Sequence, residues 1–145
     1  MKVKHIMTRD VVVASPADSI CEAARRMAEC DAGALPVGEE DRLVGVITDR
    51  DIAIRAVAHR LSPDTPVGQV MSQEVLYCFD EEEVEDVARN MAAQQIRRLP
   101  VVNRDKRLVG IISLGDLAVH GKAKATADAV AGISRPGGRH DQTLH

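Results

Sequence analysis

Two short stretches carry the residues best suited to chemistry. Thr48-Asp49-Arg50-Asp51 follows Gly45-Val46-Ile47, and Ser113-Leu114-Gly115-Asp116 follows Gly110-Ile111-Ile112. Each sets a hydroxyl and a carboxylate three residues apart, where a buried-strand composition gives way to a helical one. A helix N-terminus at such a junction offers free backbone N–H groups to an anion. The hydroxyl can donate to a phosphate or sugar oxygen, and the carboxylate can accept from the 2′- and 3′-hydroxyls of a ribose. The same pattern is a capping box, which needs no ligand, and a duplication copies its caps along with everything else.

Catalytic chemistry has no comparable signal. No histidine neighbours a plausible nucleophile, no Cys/His cluster has metal-ligand spacing, and no phosphate-binding G-x-x-x-x-G-K-[ST] loop is present. The expectation is therefore a non-enzyme without a catalytic cofactor or metal. Cys21, Cys30 and Cys78 form no C-x-x-C pair and read as reduced thiols acting as small hydrophobes, with a redox role left open. The chain carries 19 Lys and Arg against 22 Asp and Glu, so it has no net attraction for nucleic acid or anionic membrane. Tyr77 and Phe79 are its only aromatic residues, too few for a base-stacking platform. No segment reads as a signal peptide or membrane span, so the expected compartment is the cytoplasm.

The elements that position these residues come from an internal repeat. Val3, Met7, Ala24, Met27, Leu35, Pro36 and Val37 recur as Val67, Met71, Ala88, Met91, Leu99, Pro100 and Val101, and after one inserted residue Arg42-Leu43-Val44-Gly45 recurs as Arg107-Leu108-Val109-Gly110. Two copies favour a pseudo-symmetric pair over an open solenoid. In the first copy Val11–Ala14 reads as a strand, and Ser15-Pro16-Ala17-Asp18 as the start of a helix with Ile20, Ala23, Ala24, Met27 and Ala28 on its buried face. Its counterpart opens at Asp80 and buries Val84, Val87, Ala88, Met91 and Ala92. Two short strands follow in each copy, then a helix from Asp51 to about Leu61 or from Asp116 to about His120. The order β-α-β-β-α, twice, predicts an α/β (α+β) fold of two units packed together: residues 3–61, a tight turn at 62–66, residues 67–120, and a tail at 121–145. In the tail 123–133 reads as a short helix and 135–145 as frayed.

Met7-Thr8 and Met71-Ser72, the strands Ala34-Leu35-Pro36-Val37 and Arg98-Leu99-Pro100-Val101, and the two glycine-led segments occur in matching order and spacing. Together they resemble a tandem pair of CBS domains, the cystathionine β-synthase domain arranged as a Bateman module, and they span roughly residues 3–120. The overall pattern is similar to small stand-alone bacterial CBS-pair proteins. The resemblance implies a regulatory module for signal transduction that binds an adenosine-containing ligand such as AMP, ADP, ATP, NAD or S-adenosylmethionine. It also implies a flat homodimer and an effect on a downstream protein through a change of shape or assembly.

It further implies two clefts built across the repeats. Carried over residue by residue, one holds Thr48, Arg50 and Asp51 with Val75, Leu76, Tyr77, Arg97, Arg98, Leu99 and Pro100. The other holds Ser113 and Asp116 with Val11, Val12, Val13, Ala34 and Pro36. The expected clefts differ: Arg97-Arg98 matches Gly33-Ala34, Arg50 matches Gly115 and Tyr77 matches Val13. Guanidinium pairs suit phosphate, so the Thr48 cleft is the expected phosphate-bearing site, although two arginines before a strand also read as a solvated pair. Alternatives are an interaction or structural module with vestigial clefts, and a redox-partner regulator. Glu81-Glu82-Glu83 reads as complement to a helix dipole, Met27 and Met91 as core, and the five histidines as surface. Apolar residues from Ile52 to Leu61 exceed one stripe, which predicts pairing with a second protomer.

Overall fold

The computed structural model describes residues 1–121 and 123–136. The expectation of a frayed tail beyond Pro136, and of surface positions for His140 and His145, lies outside the described residues.

The fold is mixed α+β and divides into two compact units. The first-repeat unit comprises Val12–Val75 with Lys106–Leu108. The second-repeat unit comprises Met1–Val11, Leu76–Asp105 and the described residues from Val109 on. Each unit is thus closed by the opening segment of the other repeat.

In the first-repeat unit, α1 (Ile20–Cys30) precedes an antiparallel hairpin of β1 (Ala34–Glu39) and β2 (Arg42–Thr48), with a bulge between Val37 and Gly38. The helix begins four residues later than the expected Pro16. Asp18 instead accepts from the Ser15 N–H at 2.9 Å and closes a turn, and Ser19 caps the helix by accepting from the Glu22 N–H. The second repeat uses the same device: Glu82 accepts from the Phe79 N–H at 2.7 Å, and α3 (Val84–Gln94) starts after Glu83 rather than at Asp80. Ile20, Ala23 and Met27 are buried as expected, but Ala24 and Ala28 are exposed.

The expected first strands shrink for a reason written in the prolines. Ala14 alone pairs with Val37, donating to the Pro36 carbonyl and accepting from the Gly38 N–H. In a parallel ladder the next rung back would need an N–H from Pro36, which has none. In the second repeat β3 is Cys78–Phe79, not Val75–Tyr77, parallel to β4 (Arg98–Val102), where Pro100 imposes the same limit. β5 (Leu108–Ser113) completes the three-stranded order β3-β4-β5.

Gly45 and Gly110 explain the methionines. Met71 and Ser72 lie over Gly45, with reciprocal backbone bonds between Ser72 and Val46 at 2.9 and 3.0 Å. Met7 and Thr8 lie over Gly110, with reciprocal bonds between Thr8 and Ile111 at 2.9 Å. A Cβ on Gly45 would stand 2.7 Å from the Met71 sulfur, and one on Gly110 would stand 2.6 Å from that of Met7. Val67 and Val3, which lead into these segments, are fully buried.

The helix expected over 51–61 is composite: α2 (Asp49–Asp51), a π-helical turn Ile52–Ala56 and a 3-10 turn Val57–His59. Its counterpart α4 (Leu114–His120) is regular, and α5 (Ala123–Ser134) matches the expected tail helix. The glutamate triad does more than complement a dipole. Glu81 pairs with Lys4 and Lys2, and Glu83 with the N-terminal ammonium and Lys2, which tethers the N-terminal segment. The hydrogen bond from Lys4 holds the Glu81 carboxyl below its usual range, and the bond from the N-terminus does the same for Glu83.

Met27 and Met91 are core residues, as is Cys78, whereas Cys21 and Cys30 are exposed rather than packed as small hydrophobes. Burial, with Glu82 and Asp80 adding repulsion, pushes the Cys78 thiol up to about 12.

Gly110→Ala is expected to destabilise the fold by about 1–3 kcal/mol through overpacking against Met7. Gly115→Ala, whose Cβ would meet only the Ser113 Oγ at 3.5 Å, is expected to be neutral or stabilising; thermal melts compare the two. For Cys78, stability from the neutral thiol is fully present below the unfolded value of 9.0 and is lost as pH rises toward about 12. Cys78→Ala is expected to flatten that alkaline decline in denaturant titrations, and in the wild type a thiol reagent should label Cys21 and Cys30 well before Cys78.

Candidate functional site

Both hydroxyl–carboxylate pairs form complete capping boxes where a strand turns into a helix. At the end of β2, the Thr48 Oγ1 accepts from the Asp51 N–H at 2.9 Å and the Asp51 Oδ2 accepts from the Thr48 N–H at 3.0 Å. At the end of β5, the Ser113 Oγ accepts from the Asp116 N–H at 3.1 Å and the Asp116 Oδ2 accepts from the Ser113 N–H at 2.9 Å. One carboxylate oxygen in each pair is therefore committed to the backbone.

The second oxygen differs between the copies. Asp51 Oδ1 stands 3.8 Å from the Arg55 Nε, and the same guanidinium donates to the carbonyls of Val70 and Met71 at 3.3 Å each. Asp116 Oδ1 accepts from the Thr8 hydroxyl at 3.4 Å. Neither Arg55 nor Thr8 was among the residues expected to form a site. Arg55 was legible as the i+4 neighbour of Asp51 on a helix. Thr8 carried no local signal, because its partner lies 108 residues away in sequence.

The residues expected to line the clefts fall in both units. The first-repeat unit holds Thr48, Arg50, Asp51 and Val75 together with Val12, Val13, Ala34 and Pro36; the second-repeat unit holds Ser113 and Asp116 with Val11, Leu76, Tyr77, Arg97, Arg98 and Pro100. Within the first-repeat unit, Ala34, which the expectation assigned to the Ser113 cleft, stands directly across the ladder from Thr48, and Pro36 from Val46. Within the second-repeat unit the Arg97 carbonyl accepts from the Leu114 N–H at 2.9 Å, so the arginine pair adjoins the Ser113 cap. Each cap thus lies beside the proline-bearing strand of its own repeat.

Arg50, Arg97 and Arg98 are exposed, Pro36 and Pro100 are buried, and Val75 and Leu76 are half-buried. Tyr77 is 37% exposed and meets Phe79 edge-to-face at 5.7 Å between ring centroids, a contact absent from the first repeat, where Val13 and Ser15 take these positions. Gly33, the counterpart of Arg97, is explained by Asp49: a Cβ at Gly33 would meet the Asp49 Oδ2 at 3.0 Å. Among the described residues no group of three or more His, Cys, Asp or Glu could hold a metal ion, and no helix is long and apolar enough to cross a membrane.

Comparison with known proteins agrees with this geometry. Residues 3–57 and 67–121 each match the CBS domain family. The CBS domain-containing protein YhcV of Bacillus subtilis is 44% identical over 133 residues, covering 91% of this chain and 94% of that one. Hypoxic response protein 1 of Mycobacterium tuberculosis is 35% identical over 135 residues, covering 92% and 94%. A solved structure of Hypoxic Response Protein I with two coordinated zinc ions superposes with a TM-score of 0.75 at 35% identity, covering 83% of this chain and 98% of that one. The CBS domain pair of protein MJ0100, solved with 5-methylthioadenosine and S-adenosyl-L-methionine, gives a TM-score of 0.70 at 32% identity, covering 82% and 94%. With both repeats matched in order and the glycine, proline and capping residues in place, the chain belongs to the CBS-domain family as a tandem pair.

Proposed function

We propose that this protein is a non-catalytic regulatory module of the cytoplasm that binds an adenine nucleotide (AMP, ADP, ATP or NAD) and signals to a downstream protein through a change of shape or assembly. The observation that carries this reading is the division of labour within Asp51 and Asp116. In each, Oδ2 is tied to the cap while Oδ1 has only a long or loose partner, which leaves an acceptor for a ribose diol. The adenosine ligands of the MJ0100 pair support it by similarity. Exposed Arg50, Arg97 and Arg98 provide cations for phosphate, with Tyr77 as the one exposed ring for a base. The chain acts as a homodimer in this reading, with exposed Ile54 and Val57 as apolar contact surface.

A second reading, an interaction or structural module with vestigial clefts, is favoured by the fact that both caps are complete without a ligand. Titration calorimetry separates the two. Asp51→Asn and Asp116→Asn keep an oxygen that accepts the cap N–H but lose the anionic acceptor. Wild-type protein is expected to bind at least one of AMP, ATP or NAD saturably, and one of the two variants should bind it at least tenfold more weakly with its melting curve nearly unchanged. If no adenosine ligand gives heat at millimolar concentration, the sensor reading falls and the structural one stands.

A further inference from the structure

The outward oxygens of Asp51 and Asp116 share a property that a capping box does not require. Each is tied, by a different route, to the segment that lies over the glycine of its own unit. In the second-repeat unit the route is direct. The Thr8 hydroxyl donates to Asp116 Oδ1 at 3.4 Å, and Thr8 belongs to the Met7-Thr8 cover over Gly110. In the first-repeat unit the route runs through a guanidinium. The Arg55 Nε stands 3.8 Å from Asp51 Oδ1, and its Nη1 donates at 3.3 Å to the carbonyls of both Val70 and Met71, in the segment that covers Gly45.

The repeat has changed the contact and kept the connection. Ser72 matches Thr8, yet it is Arg55 that reaches Asp51, and His120 stands where the second copy would carry an arginine. Arg55 lies in the π-helical turn Ile52–Ala56, whereas the matching run of α4 is a regular α-helix. Single π turns recur at functional sites. The two carbonyls that Arg55 holds belong to backbone leaving the 3-10 turn Val67–Gln69, and a charged donor is a strong partner for such groups.

We propose that Arg55 and Thr8 are positioning residues that link occupancy of the two aspartates to the grip on the covering segments. The proposal rests on the ribose-binding reading above and adds what a bound ribose does to the chain. A diol that donates to Oδ1 competes with Arg55 or Thr8 for the same acceptor. At Asp116 the cover of Gly110 then loses its tether. At Asp51 the guanidinium loses the anion that steadies it beside the Val70 and Met71 carbonyls. Either cover is left to its methionine and to its backbone pairs, Thr8 with Ile111 or Ser72 with Val46.

Amide hydrogen exchange resolved to single residues tests this on the full-length protein, with the N–H groups of Ser72 and Val46 reporting on one cover and those of Thr8 and Ile111 on the other. Without nucleotide, Arg55→Met keeps the aliphatic stem and is expected to speed exchange at Ser72 and Val46 at least threefold, with Thr8 and Ile111 unchanged. Thr8→Val should do the reverse. If Arg55→Met fails to fold, Arg55→Lys keeps the charge without the fork that spans carboxylate and carbonyls, and carries the same expectation.

Saturating the wild type with whichever of AMP, ATP or NAD gives heat in calorimetry should speed exchange at least threefold at one of the two pairs. The matching variant should abolish that nucleotide-induced change. A variant that raises the ligand-free rate but leaves the nucleotide-induced change intact marks its residue as structural only and overturns the proposal. Exchange unaltered by both variants overturns it as well. Nucleotide bound with neither pair speeded overturns the link and leaves the ribose reading standing, whereas no binding by any of the three nucleotides overturns both.

Discussion

The contact on which the rest of the molecule depends is a methionine laid over a glycine, made twice. Gly45 and Gly110 leave the space in β2 and β5 into which Met71 and Met7 settle, since a Cβ would come within 2.7 Å of either sulfur. An unbranched thioether fits such a slot where a branched side chain would not. Because the methionine that covers each glycine opens the other repeat, neither unit can be assembled from its own stretch of sequence alone. The turn at 62–66 must therefore be short, and it is held: the Thr65 and Pro63 carbonyls accept from the first N–H groups of α1.

The same contact places the caps. Ser72 pairs with Val46 and Thr8 with Ile111, each two residues before a capping hydroxyl. The strand is thus pinned just before it turns into the helix, and the carboxylates of Asp51 and Asp116 are fixed by backbone bonds rather than by flexible side-chain partners. Hydroxyl and carboxylate recur in both repeats because the junction they cap recurs.

Much of this was legible in the residues. The repeat, the buried positions Ile20, Ala23 and Met27 of α1 and Val84, Val87, Ala88 and Met91 of α3, the hairpin and the two caps all follow from spacing and local propensity, and those are the interactions that lie within a few residues of one another. What escaped was non-local or competitive. Ser15 and Ser19 are both able to cap α1, and Asp18 decides between them by bonding back to Ser15. The strands before the helices are short because a proline on the neighbouring strand lacks one N–H, a fact about pairing and not about the apolar run itself. Thr8 on Asp116 and the lysines on Glu81 depend on chain segments far apart in the sequence. α5 was expected as a helix, but nothing in its composition identified the face it covers.

The capping and ligand-binding readings of Asp51 and Asp116 compete only if each carboxylate is treated as one group. A carboxylate has two oxygens and about four acceptor positions, and the cap uses one oxygen. The partner of the other is weak in both copies: Arg55 is half-exposed and 3.8 Å away, a geometry that contributes at most about 1 kcal/mol, and the Thr8 hydroxyl is 3.4 Å away. Two ribose hydroxyls at either position would exchange one loose contact for two and leave the cap bonds of Oδ2 in place. A duplicated cap can therefore remain wholly structural in its backbone half and diverge in its outward half, and here the outward halves have diverged: a guanidinium four residues on in one copy, a hydroxyl from the chain's own N-terminus in the other.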